Sequence, residues 1–195
     1  MSFIKPIKLA GEHATLEPLA ADHCEGLKIA VADGELWKLW YTFIPKPADM
    51  QAEIDRRLGL QEQGSWIPFA IRRNDTGKLC GMTNYMNIDA PNRRVEIGGT
   101  WHARSVQRTF INTECKLMLL THAFEELKCI AVEFRTNFMN LQSREAIARL
   151  GAKQDGILRN HMLNSDGTYR DSVVFSIVEA EWPTVRNNLR YKLAR

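Results

Sequence analysis

The stretch Ser105 to Lys116, SVQRTFINTECK, opens an apolar-periodic helix with Arg104 and Arg108 beside it. A helix start has four backbone N–H groups without intrahelical acceptors and the positive end of the helix dipole, so it is where a chain grips an anion such as a phosphate. The same residues suit a plainer reading, a capped helix N-terminus with solvated arginines, in which Asn112 or Thr113 is the cap. Just upstream, Gly98-Gly99 interrupts the alternating run RRVEIGGTWH (Arg93 to His102). Paired glycines in a strand mark a bulge or a close backbone approach, or else a kink that only improves sheet packing. Metal and nucleophile chemistry have weaker signals. The five histidines show no ligand spacing, and Cys24, Cys80, Cys115 and Cys129 stand singly, so no metal is expected.

These candidates need a scaffold, and the pattern supplies one. Ala14–Leu19 reads as a strand, Ala21–Gly34 and Ala48–Gln63 as helices, and Trp66–Arg72, Lys78–Met86 and Arg93–His102 as an antiparallel meander. From Asn112 the period changes: Leu117, Leu120, Phe124 and Leu127 put one apolar face on a helix. Ile130–Thr136 alternates as a strand, and Leu141–Leu150 is a helix with Asn140 as cap and Gly151 as stop. Ile157–Leu163 and Tyr169–Val178 flank NSDG as a hairpin, and a helix with Pro183 in its first turn closes the chain. The 195 residues, 45% hydrophobic and 25% charged, suit one domain spanning 1–195. A net charge of +3 with scattered basic residues gives no case for nucleic acid. With neither a leader-like N-terminus nor a run of ~18 apolar residues, the expected location is the cytoplasm, with reduced thiols and no membrane contact.

This element order, with RRVEIGGTWH, QRTFINTE and above all NFMNLQSREAIARLGAKQDG, resembles the GNAT acetyltransferase superfamily over nearly the whole chain. Within it, the sequence is similar to the branch of ribosomal-protein N-terminal acetyltransferases. The resemblance implies an α+β fold: a mixed, mostly antiparallel sheet of about six or seven strands, helices on both faces, and a bulge in the fourth strand. It also implies acetyl-CoA as cosubstrate, an amine acceptor (a protein N-terminus or a small molecule) and a possible homodimer.

Carried over by residue, the coenzyme A cradle would be Arg104, Gln107, Arg108, Thr109, Phe110, Ile111, Asn112 and Thr113, with Phe110 where the family has glycine. A side chain there can block close backbone approach or forbid a positive φ. The pantetheine arm would enter a gap between Trp101-His102 and Asn137-Phe138, with Asn137 and Asn140 shaping its path and Ser143 meeting the sulfur. A bulge at Gly98-Gly99 would expose an N–H for the thioester oxygen. Glu96 is the candidate base if burial raises its pKa, and otherwise a strand residue opposite Arg93 or Arg94; Tyr169 is an alternative acid. Trp37, Trp40, Tyr41 and Tyr85 are assigned to the acceptor pocket, although Trp37 and Trp40, three apart, also suit one helical face packed on the core. Two functions stay open: a direct N-acetyltransferase, or a degenerate non-catalytic module whose Phe110 has weakened the cradle and which senses coenzyme A species or binds a partner.

Overall fold

Period-2 alternation and the helical repeat sort the chain into eight strands and five helices in a computed structural model that describes residues 3–164 and 166–195. The strands are β1 (Leu9–Ala10), β2 (Ala14–Pro18), β3 (Ile67–Arg73), β4 (Leu79–Asp89), β5 (Arg94–His102), β6 (Ala131–Asn137), β7 (Lys153–Leu163) and β8 (Tyr169–Val178). The helices are α1 (Cys24–Ala32), α2 (Met50–Glu62), α3 (Phe110–Thr121), α4 (Leu141–Leu150) and α5 (Trp182–Leu193). One sheet takes the order β1-β2-β3-β4-β5-β6-β8-β7. Only the β5–β6 pair is parallel. That step requires a crossover, which α3 makes.

Alternation along β4 shows which helices lie on which face. Asn84 reaches Arg57 of α2, and its neighbour Tyr85 reaches the Leu119 carbonyl of α3. The first face is covered by α1 and α2 over β3 and β4, and the second by α3, α4 and α5. Beyond α2, the first face over β5, β6 and β8 is not packed under a helix. The core spans both faces, with Leu16, Phe69, Met82, Leu119 and Ile177 almost wholly buried.

Four expectations need correction. The strand count is eight, because the two-residue β1 is too short to show alternation; β7 is also longer than read, starting at Lys153 before its apolar residues begin. The bulged strand is therefore the fifth. Helix α3 starts at Phe110 with Thr109 as cap, not Asn112 or Thr113, and runs on through a π turn at His122–Glu126. Trp37 and Trp40 do not share a helical face: only a three-residue turn forms at Leu36–Lys38, so Trp37 packs partly on the core and Trp40 is 66% exposed. The tip of the last hairpin includes Ser165, which lies outside the described residues.

Candidate active site

The site is organised by a gap. Strands β5 and β6 pair through Arg94–Ala131, Val95–Val132 and Glu96–Glu133, and then part. The cause is a bulge: Met82 pairs with Trp101 and Asn84 with Gly98, so three steps on β5 oppose two on β4. Gly99 is the residue that needs to be glycine, because its φ is +58° and a Cβ there would lie 2.5 Å from Asn84 Nδ2. A buried clamp fixes this geometry. Asn84 Nδ2 donates to the Gly98 carbonyl at 2.8 Å, Arg57 Nη1 donates to Asn84 Oδ1 at 3.0 Å and to the Gly99 carbonyl at 3.4 Å, and Arg57 Nε donates to Glu53 at 2.7 Å. Glu53, Arg57 and Asn84 are 4%, 2% and 0% exposed. With the glycine carbonyls held on the α2 side, the bulge has one fixed shape.

Each of the two parallel strands feeds a helix N-terminus, and the two starts differ. At α4, Asn140 caps the helix by accepting the Ser143 N–H at 3.0 Å, and Asn137 accepts the Met139 N–H at 3.0 Å. Both asparagines thus spend a side-chain oxygen on local backbone, while the Ser143 hydroxyl bonds no described residue. The α3 start is looser. Thr109 Oγ1 accepts the Ile111 N–H at 3.4 Å and donates to the Val106 carbonyl at 2.6 Å. Arg104 and Arg108 are exposed and make no side-chain ion pair with described residues. Arg108, not Phe110, takes the left-handed conformation, with φ +63°. Phe110 is helical, and its ring lies to one side, stacked on His13 at 5.2 Å. A positive φ is therefore not demanded of Phe110. Gln107 Nε2 donates to the His102 carbonyl at 3.1 Å, tying the end of β5 to the turn. A helix start with two exposed, unpaired guanidinium groups beside it fits a diphosphate.

Two carboxylates sit side by side where the strands part. Burial raises the pKa of Glu96, and the negative charge of Glu133 adds to the rise, against an Asn87 Nδ2 bond at 2.7 Å and Arg135 at 3.5 Å. Glu133 is half-buried, but the bonds from Arg94 and Arg135 outweigh the desolvation cost and hold its pKa below the usual range. Neighbouring carboxylates pushed in opposite directions are the arrangement from which acid–base roles are assigned. Glu96 is thus buried, not a solvent-facing partner of Arg93 or Arg94. Asn87, Asp89, Arg94, Val95, Glu96, Glu133 and Arg135 line a cavity of about 180 Å³.

The opposite face of the bulge has its own polar cluster. Lys116 Nζ donates to Thr100 Oγ1 at 2.9 Å and approaches Thr83 Oγ1 at 3.5 Å, and the two hydroxyls are 2.8 Å apart. Without a carboxylate beside it, burial lowers its pKa to about 8. His102 meets Asn112 Oδ1 at 3.0 Å, so Nε2 is the donor, and burial with the Lys116 charge lowers its pKa to about 4. Trp101 is buried on the α2 side with no described partner for its Nε1.

Of the predicted site, the structure gathers Glu96, Gly98-Gly99, Trp101, His102 and the helix starts carrying Gln107 to Thr113 and Asn137 to Ser143 around one gap. It does not gather the rest. Tyr85 is wholly buried under α3 with its hydroxyl given to the Leu119 carbonyl, so it lines no open acceptor pocket. Tyr169 is 69% exposed at the start of β8, and by strand alternation from Ser176 it is on the opposite sheet face from Glu96. Trp40 stacks edge-on with Tyr41 at 5.7 Å in an exposed loop. Sequence reading missed Glu53, Arg57, Asn84 and Lys116. The one available signal was a Glu and an Arg four apart on a helix, which ordinarily marks a solvated pair.

Residues 13–153 match the family described as Acetyltransferase (GNAT) domain. The protein named "Putative ribosomal N-acetyltransferase YdaF" from Bacillus subtilis (strain 168) is 36% identical over 106 residues, 54% of this chain and 57% of that protein. The chain thus matches little more than half the length of that relative. A crystal structure of a GCN5-related N-acetyltransferase from Brucella melitensis has a TM-score of 0.86 at 26% identity, covering 96% of this chain and 86% of that one. RimL, titled ribosomal L7/L12 alpha-N-protein acetyltransferase, shares the fold with a TM-score of 0.78 at 15% identity, covering 90% and 96%.

Proposed function

The chain belongs to the GNAT acetyltransferase family, and from that premise we propose an acetyl-CoA-dependent N-acetyltransferase in which a primary amine attacks the thioester directly. The observation that carries the reading is the buried Glu96, its pKa raised, where two parallel strands part, with an open helix start at the end of one strand. Acetyl-CoA supplies an activated acyl group. The α3 start, with Arg104 and Arg108, would receive its diphosphate, and the gap between β5 and β6 its extended arm. The fixed bulge presents backbone N–H to the thioester oxygen as it gains negative charge. Glu96 takes the proton that an ammonium must lose before it can attack, directly or through water. Ser143, with its hydroxyl unused, is assigned to the sulfur.

For the acceptor we favour a protein N-terminus, supported by the similarity to the Bacillus relative named for ribosomal acetylation. A small-molecule amine is the second choice. The aside-turned Phe110 ring and its helical backbone remove the reason for a non-catalytic reading. Four buried, unpaired cysteines suit a reducing compartment, hence the cytoplasm. Among the described residues no helix is long and apolar enough to cross a membrane.

The test is acetyl-CoA consumption with a panel of peptide N-termini and small amines, alongside calorimetric titration with acetyl-CoA. Saturable binding with amine-dependent release of free thiol is the expected result. Absence of binding at millimolar acetyl-CoA, an affinity weaker than about −4 kcal/mol, would overturn it.

A further inference from the structure

The part of the first sheet face not packed under a helix has a charge arrangement of which the acetyl-transfer reading uses only Glu96. Glu96 is level with Glu133, and Glu133 with Ser176 of β8. Side chains two apart on a strand share a face, so Val174, Ser172 and Arg170 point the same way as Glu96. The register of β8 against β6 runs without a break from Val178 to Ser172, and Arg170 lies two residues further on, opposite Met162 of β7. The charged side chains of this face therefore include Glu96, Glu133, Arg94, Arg135 and Arg170, with Asp89 opposite Arg94 and Asp155 accepting the Ser176 hydroxyl at 3.0 Å.

Glu96, Glu133, Arg94 and Arg135 are committed to one another. Arg94 and Arg135 both bond Glu133, and Arg135 also faces Glu96. Arg170 is the exception. It is half-buried, its Nε is shielded from solvent without a hydrogen-bond partner, and no described carboxylate lies within ion-pair distance. The nearby Asp171 does not serve it, because that carboxylate holds Arg159 and the Asn160 N–H. The Glu96 charge nevertheless acts on Arg170 from the same sheet face. A guanidinium kept partly out of water without a partner is costly unless something else supplies the acceptor oxygens. A planar fork of donors matches a carboxylate best.

We propose that Arg170 is a specificity residue for the acceptor, receiving a carboxylate that lies within a residue or two of the amine presented to Glu96. The preferred acceptors are thus amines with a nearby acid, such as a peptide N-terminus whose second residue is Asp or Glu. This rests on the acetyltransferase reading above, and the experiment separates the two. The protein is assayed with acetyl-CoA and peptides that differ only in having Asp, Ala or Lys at the second position, with free aspartate and a simple alkylamine as further arms. Wild type should favour the Asp peptide over the Lys peptide by about tenfold or more, mainly through KM. Arg170→Gln should level that preference and Arg170→Glu should reverse it, with unchanged thermal unfolding confirming that each variant folds. Preference for free aspartate over the Asp peptide would support the carboxylate site and make the acceptor a small molecule. Acetylation of all peptides alike, or a preference that survives Arg170→Gln, would sink the specificity site and leave the enzyme intact. If no amine is acetylated, the acetyltransferase reading falls, and this inference with it.

Discussion

Two buried cations flank the bulge of β5 on opposite faces of the sheet, and they are compensated differently. Arg57, on the α2 side, is matched by Glu53 at 2.7 Å and spends its other donors on Asn84 and the Gly99 carbonyl. Lys116, on the α3 side, meets only the hydroxyls of Thr100 and Thr83. A paired buried charge is a rigid fixture, since removing one partner leaves the other stranded. An unpaired one carries a standing cost that shows as a lowered pKa. The sheet is therefore held in shape from one side and strained electrostatically from the other, with Glu96, the proposed base, on the held side.

The largest effect expected on that side is from Glu96→Gln. It should lower kcat/KM by about 10² to 10⁴ and abolish the rise of rate with pH through the Glu96 pKa, which burial places above 4.5. A pH–rate profile identical to wild type would remove Glu96 from the mechanism. Arg57→Met comes next. It should cost about 3 kcal/mol in denaturant unfolding by stranding Glu53, and lower kcat more than it changes KM for acetyl-CoA. The double variant Glu53→Gln/Arg57→Met should regain most of the stability but not the rate. If the rate returns too, the clamp is only structural.

On the other side, the sign reverses. Lys116→Met should stabilise the protein at pH 7 by roughly 1–3 kcal/mol, because a pKa lowered from 10.5 to about 8 is a penalty paid by the folded state. Between those pH values the unfolded chain binds the extra proton, so wild-type stability climbs with pH and the advantage of the variant shrinks. Unfolding curves at pH 7 and pH 9.5 check both statements; an advantage that grows with pH would refute them. The smallest effect is expected at Phe110→Gly, which should change acetyl-CoA affinity by less than about threefold. A tenfold gain would show that the ring obstructs the cradle after all.

What the sequence conveyed was set by range. The Leu117, Leu120 and Phe124 spacing, the Asn140 cap and the Gly151 stop are local signals, and each element formed where its pattern lay. The glycine pair announced a bulge for the same reason. Thr109 was passed over as a cap because Asn112 and Thr113, in the same dozen residues, are equally good capping types, and only the turn from Gln107 onward decides among them. The Arg57–Asn84 bond spans 27 residues and two elements. No periodicity encodes such a contact. The aromatic cluster misled for a related reason: Trp37 and Trp40 have helical spacing, but Gly34 and a left-handed Glu35 end the helix before they are reached. Arg170 carried no local mark at all, since its significance lies in what fails to reach it.

A sheet that divides between β5 and β6 has four edges instead of two. Besides β1 and β7, it exposes the backbone of β5 beyond Glu96 and of β6 beyond Glu133 to whatever enters the gap. Amides on those inner edges should exchange with deuterium faster than their neighbours in the paired stretch, and slow down when a ligand fills the gap. The same inner edges are a template for a stray strand, a hazard that sheets ordinarily cover. Saturating ligand at a hundred times its Kd would add about 2.7 kcal/mol to folding. A ligand that fills the gap would therefore do two things at once, stabilising the fold and covering the inner edges against a stray strand.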